Sequence, residues 1–253
     1  ASGYSATVGG GGRNEARGAS ATIGGGYWNT ASATNTTVGG GLLNTASGYS
    51  ATVGGGVGNT ASGDYSFVAG RRAKTTGAGQ FVWADSQDED YEPSWLSPND
   101  TFNVRARGGV RFTTGSAGLN QTVYWVAGGA SWSFTSDAST KEGFRGVDAR
   151  EVLRRVASLP VTEWNYIGYL QRHIGPMAQD WHSAFPLNKD DKAIDTADMH
   201  GVSIAAIKGL VEELKDRDAQ HAKDLSARDA EIDALKAKME AMEERLNALP
   251  PAD

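Results

Sequence analysis

The stretch Thr135-Ser136-Asp137-Ala138-Ser139-Thr140-Lys141 marks the point at which this chain changes character. The sequence before this stretch is repetitive, and 29 of the 33 glycines lie before position 148. On its C-terminal side come helix caps and a long heptad run, so two differently built halves are expected. A Ser-Asp pair with a lysine five residues after the serine fits a plain turn, and it also fits a nucleophile with its base. The surrounding sequence has to decide between the two.

The composition limits the possible functions. The 253 residues carry a formal net charge of −6 and no long basic face, so nucleic acid is not an expected partner. The absence of cysteine excludes disulfides, thiol catalysis and cysteine-ligated metals. The four histidines share no metal-ligand spacing, and we expect neither a metal site nor a cofactor. No apolar run approaches the ~18 residues of a membrane helix, so no membrane partner is expected.

A 15-residue period runs from the N-terminus. A repeat this short, with one β-branched stretch and two turn signals, predicts one coil of a stacked parallel β-solenoid, here over residues 1–83. Each coil can bury only one Val or Ile and one Ala, so stacking and association between chains must supply the rest of the core. The repeated positions are Val8, Ile23, Val38, Val53 and Val68; Asn14, Asn29, Asn44 and Asn59; and Ala16, Ala31, Ala46 and Ala61.

The copies follow the pattern Ser-Ala-Thr-Val-Gly-Gly-Gly-x-x-Asn-Thr-Ala-Ser-Gly-Tyr. This pattern resembles the left-handed β-roll head repeats of trimeric autotransporter adhesins and related phage fibres, and the resemblance implies a homotrimer. The fifth copy departs from it, because Ala69-Gly70-Arg71-Arg72 replaces the glycine run and Lys74 replaces the asparagine. A terminal coil has no neighbour to pack on, so we interpret this copy as a capping coil.

Residues 84–135 are predicted to form a β neck. Residues 101–106 and 110–113 alternate around Gly108-Gly109, which predicts a hairpin, and residues 122–126 predict a further strand. The neck also carries a cluster of acids, for which calcium binding is one interpretation. Their spacing fits no calcium loop, so the preferred interpretation is a solvated connection. The acids are Asp85, Asp88, Glu89, Asp90, Glu92 and Asp100.

Beyond Lys141 the sequence turns to α+β signals. Asp148 is placed to cap a helix that ends before Pro160, and residues 161–166 have the composition of a strand. Pro176 is placed at the start of a short helix. Together these signals predict a small α+β domain over residues 136–203.

A heptad run follows and predicts a coiled coil over residues 204–253. Asp218, His221 and Arg228 occupy polar positions in the apolar seam, where such residues fix register and strand number at a cost in stability. Alternatively, His221 binds an anion on a threefold axis. The seam positions are Ile204, Ile207, Val211, Leu214, Asp218, His221, Leu225, Arg228, Ile232, Leu235, Met239, Met242, Leu246 and Leu249.

Several blocks in order carry a second resemblance. They are Ser136-Asp137, Lys141-Glu142-Gly143-Phe144, Trp164-Asn165-Tyr166, His173 to Asp180, Asp195-Thr196 and Gly201 to Ile207. From Ser136 to about Leu214 the chain resembles the self-cleaving C-terminal intramolecular chaperone domain of phage endosialidases and tail spikes. The resemblance implies a trimer whose C-terminal domain helps a β-fibre fold in register and then cuts itself off before the serine.

The residues at the junction suit that chemistry. A serine hydroxyl needs a base to become a good nucleophile, and Lys141 is the candidate base for Ser136. Since the family cuts before the serine, the attacked carbonyl is expected to be that of Thr135, with a neighbouring chain's serine as a second possibility. Asp137 either orients Lys141 or caps a turn. His173 is interpreted as a fold-building residue, with a supporting catalytic role as the alternative.

The whole sequence therefore predicts a mixed fold: an N-terminal parallel β-roll and β neck, then a small α+β domain ending in a long trimeric coiled coil. The predicted function is chaperone-assisted folding of a trimeric fibre, followed by single-turnover cleavage between Thr135 and Ser136. The alternative is an uncleaved structural or adhesive surface fibre. The expected location is a virion appendage or a bacterial cell surface, with a surface receptor or glycan as a possible partner.

Overall fold

A computed structural model describes residues 1–93, 98–116, 119–187 and 189–247. The chain divides into two compact units, Ala1–Glu142 and Gly143–Asp253. The first unit is a parallel β-solenoid followed by a small antiparallel sheet, and the second is an α+β region that ends in a long helix. The predicted fold class is confirmed.

The strands of the first unit are short in the solenoid and longer in the neck. Their bounds are β1 (Thr7–Val8), β2 (Glu15–Ala16), β3 (Thr22–Ile23), β4 (Thr30–Ala31), β5 (Thr37–Val38), β6 (Thr45–Ala46), β7 (Thr52–Val57), β8 (Thr60–Ala61), β9 (Phe67–Arg71), β10 (Lys74–Thr75), β11 (Phe81–Ala84), β12 (Phe102–Arg105), β13 (Val110–Ser116), β14 (Leu119–Trp125) and β15 (Ser133–Phe134). A 3₁₀ helix at Ala138–Thr140 follows β15.

Two parallel sheets share the coils of the solenoid. One runs in the order β1-β3-β5-β7-β9-β11-β12, and the other in the order β10-β8-β6-β4-β2. Equivalent residues of successive coils pair directly, as in Thr7↔Thr22 and Thr22↔Thr37. The glycine runs allow this close stacking: Gly41 has a φ of 95°, and a Cβ there would lie 2.1 Å from the Gly56 carbonyl oxygen.

The core of the solenoid is very thin. The residues predicted to point inward are fully buried in the coils after the first, among them Val38 and Val53 with Ala31 and Ala46, and Val8 of the first coil is partly buried. Burying one valine contributes roughly 1.5–3 kcal/mol. Ordering the backbone of a coil costs on the order of 15 kcal/mol or more. A single coil therefore has no stable fold, and the stack has to form together.

Buried asparagines link the coils. The Asn44 Nδ2 donates to the carbonyls of Gly40 at 2.9 Å and Gly56 at 2.8 Å. Its Oδ1 accepts from the backbone amide and the Nδ2 of Asn59, each at 3.0 Å. The Asn29 Oδ1 in turn accepts from the backbone amide of Asn44 at 3.0 Å. Through its side chain and its backbone amide together, each buried asparagine therefore bonds within its own coil and to both neighbouring coils, which satisfies its polar atoms.

The coil that carries Arg71, Arg72 and Lys74 ends only one of the two sheets. Its strand β10 is the edge strand of the second sheet, as expected of a capping coil, whereas in the first sheet β11 and β12 continue beyond β9. The coil is one residue shorter, since a bulge shifts the register after Val53 and Thr60 pairs with Lys74. As a result Ala73, and not Lys74, takes the asparagine position, and its amide donates to the Asn59 Oδ1 at 2.9 Å.

The basic residues of this coil bind the acidic stretch of the neck. Asp88 lies 2.9 Å from the Arg71 guanidinium, and Asp90 lies 2.7 Å from Arg72 and 3.0 Å from Lys74. Hydrogen bonds from Lys74 and Arg72 hold the pKa of the Asp90 carboxyl below its ordinary value. These carboxylates neutralise protein cations, and the described residues contain no group of three or more His, Cys, Asp or Glu that could hold a metal ion.

The hairpin predicted around Gly108-Gly109 is wrong. Strand β12 lies parallel to β11, with Phe81 opposite Phe102. The Phe81 ring stacks on Phe67 at 5.1 Å and on Phe102 at 4.6 Å, and Arg105 pairs with Asp85 at 2.9 Å. These contacts stabilise β12 at the edge of the solenoid, so it pairs with β11 and does not form a hairpin with β13. The turn exists, but it connects two different sheets.

The neck is the antiparallel sheet β13-β14-β15. Its register pairs Thr113 with Thr122 and Tyr124 with Ser133. The strand predicted at residues 122–126 lies within β14, except for its last residue. Because β15 ends at Phe134, the sheet leads directly into the junction stretch.

The second unit contains α1 (Ala149–Ser158), β16 (Thr162–Trp164), β17 (His173–Gly175), α2 (Ala178–Ala184) and α3 (Thr196–Asn247). Asp148 caps α1 as predicted, and its side chain accepts from the amides of Arg150 and Glu151. Strands β16 and β17 pair as an antiparallel hairpin. The short helix predicted at Pro176 begins two residues later, at Ala178.

Helix α3 packs against α1 through residues in its N-terminal half. Gly209 is buried there, and a Cβ at this position would lie 2.2 Å from the Ala149 carbonyl oxygen. Arg150 of α1 adds ion pairs to Glu212 at 3.3 Å and to Asp216 at 2.6 Å. Glycine is thus required at position 209 for the two helices to meet.

The predicted heptad seam runs along α3, which is one continuous helix. Its apolar positions remain exposed in the single chain, from Ile204 (58%) to Met242 (63%). The polar seam residues Asp218, His221 and Arg228 are exposed as well. Leu249 lies outside the described residues. The trimeric coiled coil therefore stays a prediction.

Replacing Asn44 with alanine should destabilise the solenoid by about 2–4 kcal/mol, because the Gly40 carbonyl and the Asn59 amide lose their partners inside the coil. Thr34→Ala is the matched control, since Thr34 is exposed and should change stability little. Thermal unfolding followed by circular dichroism measures both variants. Equal melting temperatures would contradict a stabilising role for the asparagines.

Gly209→Ala should destabilise the second unit by about 1–3 kcal/mol, because the new methyl group forces α1 away from α3. Gly201→Ala is the control in the same helix: nothing lies within 4 Å of its Cβ position. That control should stabilise the helix by about 0.5–1 kcal/mol. Denaturant unfolding of the two full-length variants compares them, and a Gly209→Ala protein as stable as the Gly201→Ala protein would refute the close approach.

Candidate functional site

The junction stretch folds as a tight turn. Asp137 is the N-cap of the 3₁₀ helix, and its Oδ1 accepts from the backbone amide of Ser139 at 2.8 Å and from the Ser139 hydroxyl at 2.9 Å. The Asp137 carbonyl accepts from the Thr140 hydroxyl at 2.8 Å. Short polar residues favour such local bonds over regular structure, which explains why the chain turns here.

The turn brings Lys141 back to Ser136. After the 3₁₀ helix, the amide of Lys141 bonds to the Ala138 carbonyl at 3.1 Å and its backbone becomes extended. The Lys141 Nζ then lies 2.7 Å from the Ser136 Oγ, with the ammonium donating to the hydroxyl. If the amine loses its proton, the same contact lets it accept the proton of the serine.

Asp137 does not take part in that contact. Its carboxylate is occupied by Ser139, and these two bonds, the backbone one foremost, lower the pKa of Asp137 below its ordinary value. A carboxyl with a lowered pKa keeps its charge and its capping bonds at neutral pH, and loses them only in acid. Of the two roles weighed for Asp137, the geometry matches the turn cap.

Thr135 is held by the neck sheet. Its backbone amide donates to the Thr122 carbonyl of β14 at 3.0 Å. The peptide bond between Thr135 and Ser136 therefore starts at the edge of a sheet and ends in a turn. Thr122 could not be identified from the sequence, because its role is a backbone contact to a residue thirteen positions away.

The whole stretch from Thr135 to Lys141 is exposed to solvent in the single chain. Lysine in water carries a proton, and burial favours its neutral form. The chemistry of a serine-lysine pair therefore requires that something cover these residues.

His173, for which a supporting catalytic role is the alternative, lies in the second unit. The His173 ring stacks on Trp164 at 4.6 Å and meets Tyr166 edge-on at 5.8 Å, which matches its interpretation as a fold-building residue. Trp181 is buried against Phe185. The imidazole of His173 is thus part of an aromatic cluster.

Comparison with known proteins gives one family. The family model described as chaperone of endosialidase matches residues 136–188, so the match begins at the serine of the site. No curated protein matches the chain. Domains of this family are intramolecular chaperones of trimeric fibre and tail-spike proteins, and the family is one of autoproteolytic serine peptidases.

The matched residues contain the 3₁₀ helix, α1, β16, β17 and α2, and they end before the long helix α3. In the described part of the chain, no helix has the length and the apolar character to cross a membrane. Residues 136–188, which begin at the Ser136-Lys141 contact, are a domain of the chaperone-of-endosialidase family.

Proposed function

We propose that this chain is a trimeric fibre or tail-spike-type protein whose C-terminal domain directs folding and then releases itself by cutting between Thr135 and Ser136. The observation that carries the proposal is the 2.7 Å contact between the Lys141 Nζ and the Ser136 Oγ, at the first residue of the family match. The proposed domains are 1–83 (β-roll), 84–135 (neck), 136–203 (chaperone and cleavage domain) and 204–253 (coiled coil).

Two apolar surfaces support a trimer. The first is the exposed heptad seam of α3, which is suited to self-association. The second is the loop between β16 and β17 with its flank, where Ile167, Leu170 and Ile174 are 100%, 97% and 77% exposed. Exposed apolar residues in such number mark an interaction surface. Three copies that cover these surfaces would bring three solenoids together in register.

The proposed cut uses only the junction residues and one water. Lys141 removes the proton of the Ser136 hydroxyl, and the Oγ attacks the Thr135 carbonyl carbon through a five-membered ring. The C–N bond then breaks, the departing amine of Ser136 takes the proton, and Thr135 is held as an ester on the Oγ. Water hydrolyses this ester to a Thr135 carboxylate and a free Ser136 hydroxyl. One peptide bond and one water are consumed.

Folding precedes the cut in this scheme. Lys141 is exposed in the single chain and a covered lysine is the better base, so association of three chains activates the pair. The released fibre would act at a virion appendage or a bacterial surface and bind a surface receptor or glycan. If incubation of the purified full chain yields no cut before Ser136, the protein is an uncleaved fibre that uses this domain only for trimerisation.

Ser136→Ala, Lys141→Ala and Lys141→Arg should each leave the chain uncut and still assembled. The first removes the nucleophile, the second removes the base, and a guanidinium does not give up its proton near neutrality. In the wild type the rate should rise with pH, because the lysine must be unprotonated to act. Denaturing gels and N-terminal sequencing across a pH series measure this.

Asp137 provides the control for these variants. Asp137→Asn keeps an oxygen that accepts from the Ser139 amide, so it should cut at nearly the wild-type rate, whereas Asp137→Ala should be slower because the turn loses its cap. Normal cutting by Lys141→Arg, or a new N-terminus other than Ser136, would show that the mechanism is wrong.

Expression of residues 1–135 alone should give aggregated or monomeric protein. No coil can bury a core on its own, and the heptads that bring three chains together are missing from this fragment. Size-exclusion chromatography with light scattering, next to the full-length Ser136→Ala protein, tests this. A soluble trimer from the fragment would show that the C-terminal domain is not needed for assembly.

A further inference from the structure

The register of the neck sheet continues into the cleavage site. Tyr124 pairs with Ser133 and Val123 with Phe134, so the next pair in the ladder is Thr122 with Thr135. In an antiparallel sheet a hydrogen-bonded pair exchanges two bonds, each amide donating to the other residue's carbonyl. Here the first of these is present: the amide of Thr135 donates to the Thr122 carbonyl at 3.0 Å.

The second bond is replaced. The amide of Thr122 donates at 3.2 Å to the Thr135 side-chain Oγ1 and not to the Thr135 carbonyl. The same hydroxyl donates at 3.2 Å to the Thr122 carbonyl. Among the described residues no donor binds the Thr135 carbonyl oxygen. The hydroxyl thus occupies the place in the ladder that the carbonyl would have taken.

We propose that the Thr135 hydroxyl is a positioning group for the self-cleavage: it takes over the last ladder bond and thereby frees the scissile carbonyl for attack by Ser136. The inference rests on the proposed function. A ladder amide points at the oxygen of a planar carbonyl and stabilises the uncut peptide, whereas catalysis needs donors at the position of the tetrahedral oxyanion. A carbonyl outside the ladder is free to leave the plane of the sheet.

The arrangement also links the cut to folding of the neck. Thr122 lies on the central strand β14, and its hydroxyl lies 3.1 Å from that of Thr113 on β13. A row of three threonines therefore crosses the sheet and ends at the scissile residue. The Thr135 contacts exist only once β14 and β15 have paired, so a chain with an unformed neck would keep its chaperone domain.

Full-length Thr135→Val and Thr135→Ser separate the hydroxyl from the shape of the side chain. Valine keeps the β-branched form without the hydroxyl, so the Thr122 amide returns to the carbonyl. We expect cleavage about tenfold slower, which corresponds to about 1.4 kcal/mol. Thr135→Ser keeps the hydroxyl and should cut within about twofold of the wild type. Melting temperature and oligomeric state should be equal in all three.

A Thr135→Val protein that cuts as fast as the wild type or faster would overturn the inference, as would a Thr135→Ser protein as slow as Thr135→Val. A wild type that never cuts would instead overturn the proposed function. Crystal structures in the Ser136→Ala background still decide whether the Thr135 hydroxyl displaces the carbonyl from the ladder. With Thr135→Val the Thr122 nitrogen should lie about 3 Å from the carbonyl oxygen of residue 135. If that oxygen stays unbound, the hydroxyl does not control it.

Discussion

The fold of the first unit depends on the vertical hydrogen bonds between buried asparagines. A coil that buries one valine or isoleucine and one or two alanines gains far less than its ordering costs, so stability has to come from the neighbouring coils. Asn44 supplies it by bonding within its own coil and to the next ones. The stacked rings of Phe67, Phe81 and Phe102 lie at the C-terminal end of this stack, and the neck sheet follows them along the chain. This dependence on neighbours is consistent with the presence of a domain whose family acts in trimeric proteins.

Periodicity was sufficient to predict the solenoid because every coil repeats the same burial, so Val38 and Asn44 have equivalents in neighbouring copies. It failed where the period changes. The bulge after Val53 shortens one coil, and a strict count then assigns the asparagine position to Lys74 when Ala73 occupies it. The glycine pair at 108–109 is a strong local hairpin signal, yet β12 pairs with a strand 21 residues away because Phe102 stacks on Phe81 there. Long-range stacking of this kind leaves no pattern in spacing.

The candidate site also has one part that could be predicted from local sequence and one part that could not. Ser136 and Lys141 could be paired from the sequence because the contact is local, and a short polar turn capped by Asp137 returns the lysine to the serine. The hold on Thr135 could not be predicted, because it depends on the register of β15 against β14. The Ser136-Lys141 contact thus depends on residues that are close in sequence, whereas the position of Thr135 depends on the pairing of two strands. The proposed cut between Thr135 and Ser136 would require both.

Because successive coils stack in register, the number of coils sets the length of the solenoid. Each asparagine bonds only to its own coil and the adjacent ones, so a whole 15-residue unit can be duplicated or lost while the asparagine ladder keeps the same pattern of bonds. One such event changes the length of the stack by the spacing of neighbouring strands, about 4.8 Å. Genetic recombination between near-identical repeats would therefore adjust the reach of the fibre in fixed steps, while the neck and the junction stay unchanged.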